Sequence, residues 1–397
     1  MSNFRDGSVG VATGWMSTAD CDLASFRRLV EQETRAEDYP HAEGVESNLV
    51  VYGPGLAGRA GDGPARREVQ AELARALGQG PGVVVFRQAF DSAVVGRATR
   101  IFEAMLAEQD QTGAAGGDHF AAPGSNGRLW GALDKLGTRD PEVFVDYYAN
   151  DALALVAEAW LGPGYQVTSQ VNVVRPGARA QSPHRDYHLG FMDRDRALAY
   201  PAQVHVLSAL LTLQGAVAHV DMPARTGPTL YLPHSQKYLP GYIAHHDPGF
   251  AAYFEDHHVQ LALSAGDAAF FNPAVIHAAG HNRSSDVMRM ANLLQISSGF
   301  GRAMEAVDTT ALCRAVFPVL ARRRRDGAGQ RALRNVVAAA SEAYPFPTNL
   351  DRDSPVSGPT PPTQADLLWA ALEGRWDANR LEEALAEHRR RRQASAS

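Results

Sequence analysis

Cysteine is nearly absent: the 397 residues contain two, Cys21 and Cys313. That is too few for a disulfide framework or a cysteine-based zinc site, and it fits a reducing cytoplasm. Long apolar runs are missing as well. No stretch approaches the ~20 residues needed to cross a bilayer, which argues against a membrane span. The opening "MSNFRDGSVGVATGW" has no basic stretch leading into an apolar one, so it does not read as a signal peptide. Nor is there an excess of positive charge. A formal net charge of -6 argues against a nucleic-acid-binding protein. Two basic runs, Arg322 to Arg325 and Arg389 to Arg392, read as the cationic last turn of a helix and a solvated tail. What remains is the composition of a soluble globular protein, 45% hydrophobic and 21% charged, long enough for one large domain or two.

Three regions differ in pattern. Residues 1–60 carry glycine and proline clusters such as "YGPGLAGRAGDGPA" and read as an irregular N-terminal arm. Residues 61–301 read as the main domain. It begins with an Ala/Leu/Glu/Arg helix closed by glycines, a strand around Val83 to Phe86, and helices over Ser92 to Gln109 and Pro141 to Trp160. From about residue 165 the apolar period changes to two. "YQVTSQVNVV" sets Val167, Val171 and Val173 on one face and Gln166, Thr168, Gln170 and Asn172 on the other. "AQVHVLSALLTL", "PTLYLP", "HVQLALS", "DAAFFNP" and "RMANLLQIS" continue the series as further strands. Short strands at regular spacing imply an antiparallel sandwich or barrel. Residues 302–397 return to helix, interrupted by the Pro-rich "YPFPTNLDRDSPVSGPTPP", and read as a C-terminal helical extension.

Fourteen histidines are present, and His-x-Asp occurs three times: His184 with Asp186, His219 with Asp221, and His245 with Asp247. A bare match is weak and counts only in context. One demanding context is a mononuclear non-heme iron site, which needs two histidines and a carboxylate on one face of the metal and leaves positions open. Residues two apart at a strand end point the same way, and a third ligand must come from a later strand. Downstream, His277 ends the apolar run "AAFFNPAVI" and Arg289 begins "RMANLLQIS". Twelve positions separate them (289 minus 277), enough for a turn and a return along the neighbouring strand. A guanidinium there suits a carboxylate in bidentate fashion.

The run of His184 and Asp186, then "TGPTLYLPHSQ", then "GDAAFFNPAVIHAAGHNRSS" with Arg289, resembles the phytanoyl-CoA dioxygenase family of Fe(II)/2-oxoglutarate-dependent oxygenases. The resemblance covers roughly residues 165 to 300 and rests on four elements in order: an HxD pair, an "NGPL…PGSH"-like turn, a "GD…F" strand entry and an "H…G.N.S…R" ending. It implies a mainly β fold, a double-stranded β-helix (jelly-roll or cupin-like) core flanked by N- and C-terminal helices. It implies that His184, Asp186 and His277 are the iron ligands and that Arg289 binds 2-oxoglutarate. Gly227, Thr229, Pro233, Gly266, Asp267, Gly280, Asn282 and Ser284 match the family framework. The expected reaction consumes dioxygen and 2-oxoglutarate, releases succinate and carbon dioxide, and hydroxylates a small-molecule metabolite. Halogenases of the wider class lack the carboxylate, so Asp186 argues against halogenation. "PHSQ", Pro233 to Gln236, departs from "PGSH", and the helical ends match no family motif.

Other residues are candidates beside plainer readings. Gln170 and Asn172, Thr229 and Ser284 are candidates to hydrogen-bond the cosubstrate, or else line the barrel mouth or shape a turn. The glycine-rich loop with Asp118, His119, Phe120, Arg128 and Trp130 is long enough to cap the barrel, so His119 and Arg128 are substrate candidates or parts of a surface connection. Tyr187 and His188 adjoin the metal pair and either reach substrate or pack under the loop. His257 and His258 read as solvent-facing. Two alternatives stay open: a cupin-like metalloenzyme that does not use 2-oxoglutarate, and a non-catalytic β-barrel binding protein. No motif specifies the substrate or the oligomeric state.

Overall fold

Valine-rich segments become strands because β-branched side chains pack well on a pleated surface. The computed structural model describes residues 14–112, 126–186, 189, 192–354, 358 and 360–394. Its strands in chain order are β1 (Gly44–Glu46), β2 (Leu49–Tyr52), β3 (Val83–Phe86), β4 (Asn126–Leu129), β5 (Gln166–Val174) and β6 (Thr212–Ala218). Then follow β7 (Leu230–Leu232), β8 (Val259–Gln260), β9 (Ala268–Phe271), β10 (Ile276–Ala278) and β11 (Arg289–Ser297). Eight strands form one sheet in the order β1-β2-β3-β9-β6-β11-β5-β4, and three form a second, β10-β7-β8. β2 and β3 run parallel, whereas the central strands β9, β6, β11 and β5 pair antiparallel. The backbones of His184 and His277 exchange two N–H to carbonyl bonds of 2.9 Å, which adds residue 184 to the edge of the smaller sheet. Together the two sheets make a jelly-roll-like core with a cavity between them.

β11 shows how alternation divides the molecule. Arg289, Ala291, Leu293 and Gln295 line the cavity, while Met290, Leu294 and Ile296 face the opposite way into the main hydrophobic core. That core is completed by Val171 and Val173 of β5 and by the helices Pro141–Tyr148 and Asp151–Leu161. Each fully buried apolar side chain there contributes about 1.5–3 kcal/mol. Among the described residues helix takes up about 47% and strand about 16%.

The N-terminal segment differs from the irregular arm expected. Within the described residues it forms the helix Leu23–Val30 and the hairpin of β1 and β2. Ser47 and Asn48, both at positive φ, make the tight turn, a conformation whose twist suits a two-residue hairpin loop. All four residues of β2 are buried, so this segment is part of the larger sheet. A four-residue apolar run is too short to display periodicity. "AQVHVLSALLTL" also divides: Ala202–Leu210 is helical and only the following residues enter β6. "AAFFNPAVI" is not one strand. β9 stops at Phe271, Asn272 Oδ1 accepts from the Ala274 N–H at 2.9 Å, and His277 lies in β10 of the other sheet. The stretch Pro141 to Trp160 is two helices, because Asn150 caps the second through the Leu153 N–H. Helix Ala132–Arg139 has no counterpart in the sequence reading, whereas Gln330–Ala340 and Ala378–Arg392 fall in the C-terminal region read as helical. Both basic runs close helices, and Arg322 and Arg323 pair with Glu142 and Asp146.

Candidate active site

The cavity between the sheets measures about 610 Å³ and is lined by His184, Asp186, His277 and Arg289 together. Period two explains the first pair. Residue 184 bridges to β10 and residue 186 follows on the same side, its N–H donating to the Pro273 carbonyl at 3.1 Å. The Nε2 of His184 stands 3.8 Å from Asp186 Oδ1, and the Nε2 of His277 stands 3.7 Å from Asp186 Oδ2. One ligand atom from each of the three residues lies within 4.8 Å of the others. Both rings have the same tautomer for the same reason. His184 Nδ1 donates to the Ser182 carbonyl at 2.8 Å and His277 Nδ1 to the Val275 carbonyl at 2.9 Å, leaving Nε2 of each ring to act as a ligand. Two oriented imidazoles and one carboxylate are the donor set that suits Fe(II) with open positions.

Charge in this pocket follows from burial and from the cluster itself. Burial, and then His184, push the His277 imidazole down to about 4, so it is neutral and able to ligate at pH 7. Burial works to raise the Asp186 carboxyl, but His277 and His184, with the Gln214 hydrogen bond and Arg128, hold it below the usual carboxylate range. Gln214 of β6 donates through Nε2 to Asp186 Oδ2 and fixes the carboxylate plane.

Arg289 is 6% exposed, and burial pulls its guanidinium down to about 10, which still leaves it charged at pH 7. Among the described residues no carboxylate lies within ion-pair distance of it. A buried cation of this kind requires an anion, because burying an unpaired charge is costly. Asn172 and Thr229 also line the cavity, as does Gln170, which accepts from Arg128 Nη1 at 2.7 Å. Arg128 lies 5.0 Å over the Trp130 ring. Ser284 sits elsewhere: its Oγ donates to Asn282 Oδ1 at 2.6 Å inside the turn that leads to β11. His119, Tyr187 and His188, with Asp118 and Phe120, lie outside the described residues.

The rival pairs separate cleanly. His219 is a core residue, bonded to the Thr99 hydroxyl at 2.9 Å and the Tyr147 hydroxyl at 3.1 Å, and burial pushes it down to about 3. Asp221 accepts from the Ala265 N–H. Asp247 caps the helix Pro248–His257. His245 lines the cavity beside His246, and burial first, then His246, push it down to about 3. His234 of "PHSQ" adopts φ 65 and bonds the Thr34 hydroxyl at 3.0 Å, which ties down the N-terminal segment. The sequence reading passed over Gln214, whose signal was its inward place in the period-two run of β6. It also passed over Glu305, which lines the cavity from an irregular segment with no period to read.

A family model described as phytanoyl-CoA dioxygenase matches residues 78–291, more than half of the chain. No curated protein matches it. Solved structures with a similar course include the non-heme alpha-ketoglutarate-dependent epimerase SnoN from nogalamycin biosynthesis, at 21% identity and a TM-score of 0.40, covering 60% of this chain and 82% of that one. The non-heme alpha-ketoglutarate-dependent carbocyclase SnoK from the same biosynthesis has 19% identity and a TM-score of 0.44, covering 64% of this chain and 94% of that one.

Proposed function

Because the chain belongs to the phytanoyl-CoA dioxygenase family, and is thereby a non-heme iron, 2-oxoglutarate-dependent oxidoreductase, we propose that it hydroxylates a small-molecule metabolite in the cavity between its sheets. In this reading His184, Asp186 and His277 hold the iron, and Arg289 binds the distal carboxylate of 2-oxoglutarate. The observation that carries it is a convergence: three oriented donors share one cavity with the buried Arg289, which has no carboxylate partner among the described residues. The bound metal supplies activation of dioxygen coupled to oxidative decarboxylation of the cosubstrate.

The chain's own contribution is binding and orientation. Ser182 and Val275 carbonyls fix the two imidazoles, and Gln214 fixes the carboxylate. Arg289 supplies a planar fork that pairs with a carboxylate through two charge-assisted bonds. Asn172 and Thr229 are placed to hydrogen-bond the cosubstrate along the same wall. Leu293, Phe271 and Ala291 keep water from the remaining space, which strengthens every polar contact inside.

The experiment is succinate formation from 2-oxoglutarate by protein loaded with iron anaerobically and then exposed to oxygen. Wild-type protein should turn over slowly even without substrate, and only with iron. His184→Ala and Arg289→Ala should each lose this turnover. Iron-independent turnover, or turnover retained in both variants, would refute the assignment.

A further inference from the structure

His245 and His246 follow the short helix Gly241–Ala244 and stand on the wall of the same cavity. Their rings stack at 4.0 Å, tilted by 35°. His245 Nδ1 lies 3.1 Å from the Gly241 carbonyl. A carbonyl only accepts, so that nitrogen carries the ring hydrogen and Nε2 is left as an acceptor. The His245 ring makes no other hydrogen bond to a described residue, and His246 Nε2 is buried without a partner. The pair is held from both sides. Arg194 Nη2 donates to the His246 carbonyl at 3.0 Å, and Asp247 caps the next helix by accepting from the Gly249 N–H at 2.8 Å.

The cavity lining includes the apolar Met192, Met222, Leu261, Leu263, Leu293 and Phe271 beside polar Gln295 and Glu305. Methionines adapt to irregular apolar ligands. Of the cavity's arginines, Arg128 bonds Gln170, Arg185 bonds the Ser235 and Tyr238 carbonyls, and Arg289 is assigned to 2-oxoglutarate. The cavity volume of about 610 Å³ falls among pockets of ~300–1,000 Å³ that take ligands of drug size.

We infer that the His245–His246 pair is a hydroxyl-recognising subsite, and that the substrate is a largely apolar molecule that donates a hydroxyl to His245 Nε2. The inference rests on reading this cavity as the active site. The histidine pair gives that hydroxyl an acceptor on the cavity wall, and the bond so formed helps to orient the apolar body.

The test is equilibrium dialysis of 1-naphthol, 1-methoxynaphthalene and naphthalene against the full-length protein under nitrogen, with Fe(II) and 2-oxoglutarate and again without them. The three probes share one apolar body, and only naphthol offers a donor. Naphthol should bind more tightly than methoxynaphthalene by about three- to tenfold, the worth of one net hydrogen bond. His245→Phe should erase that preference while leaving naphthalene binding in place, which shows that the variant is folded. His245→Gln, which retains an acceptor, should restore part of it. Equal binding of naphthol and methoxynaphthalene to wild type, or a preference that survives His245→Phe, would overturn the subsite. Dialysis does not depend on turnover. A naphthol preference without iron-dependent succinate formation sinks the proposed activity alone, and succinate formation without the preference sinks the subsite alone.

Discussion

Two residues carry contrasting tests of how the metal site is held. Gln214 touches the carboxylate of Asp186 and nothing of the histidines, so its loss should loosen one donor without removing any. Gln214→Leu should weaken Fe(II) binding by roughly 10–100-fold, as for other groups that orient a metal ligand, in an anaerobic titration followed at equilibrium. Unchanged affinity would mean that the carboxylate is fixed by burial alone. Arg289→Lys keeps the charge but loses the planar fork. It should raise the 2-oxoglutarate KM by about tenfold or more, and an unaltered KM would argue that a point charge suffices. The sequence reading brought the HxD pair and Arg289 together because the proposed chemistry demands those residue types at strand ends, and all three residues line one cavity. The histidines that compete for notice were separable in part. His219 proves to be a core residue, whereas the place of His245 on the cavity wall was not legible because a helix end facing a cavity leaves no periodic trace.

At the scale of elements, alternation made β5 and β11 legible, since one face of each lines the cavity and the other meets helices. The failures share a cause. β2 is four apolar residues with no polar face, and the helix Ala202–Leu210 has a V-H-V start that mimics a strand until packing decides. β2 leads to a prediction. Removing residues up to Tyr52 strips β1 and β2 from β3 and exposes an apolar edge, so the truncated protein should be insoluble or melt without cooperativity. A full-length-like melt would contradict the assignment of β2 to the sheet. Gly227 gives a second test. Its φ is +70, and a Cβ there would meet the Gly280 backbone at 2.5 Å, because the turn before β7 crosses the turn after β10. Gly227→Ala should cost roughly 1–3 kcal/mol of stability, read from the urea midpoint, and an unchanged midpoint would mean that this crossing relaxes freely.

The whole molecule buries several histidines away from the proposed metal site, and these set its response to acid. Burial pushes His219 down to about 3, and His234 and His388 down to about 4. An unfolded histidine titrates near ~6.5. Below that value the unfolded chain takes up protons that the folded chain refuses, so this stability is complete above about pH 6.5 and is lost as pH falls towards 4. His219 alone should cost about 2 kcal/mol at pH 5. The urea midpoint should therefore drop between pH 7 and pH 5, and less so in His219→Gln; a midpoint independent of pH would contradict this. The central claim concerns the cavity that the two sheets enclose. Its most direct test is the joint binding of Fe(II) and 2-oxoglutarate under anaerobic conditions. The account expects one iron per chain, tight 2-oxoglutarate binding only when iron is present, loss of iron in His277→Ala, and loss of 2-oxoglutarate with iron retained in Arg289→Ala. Iron binding that ignores His277, or 2-oxoglutarate binding that ignores Arg289, would contradict it.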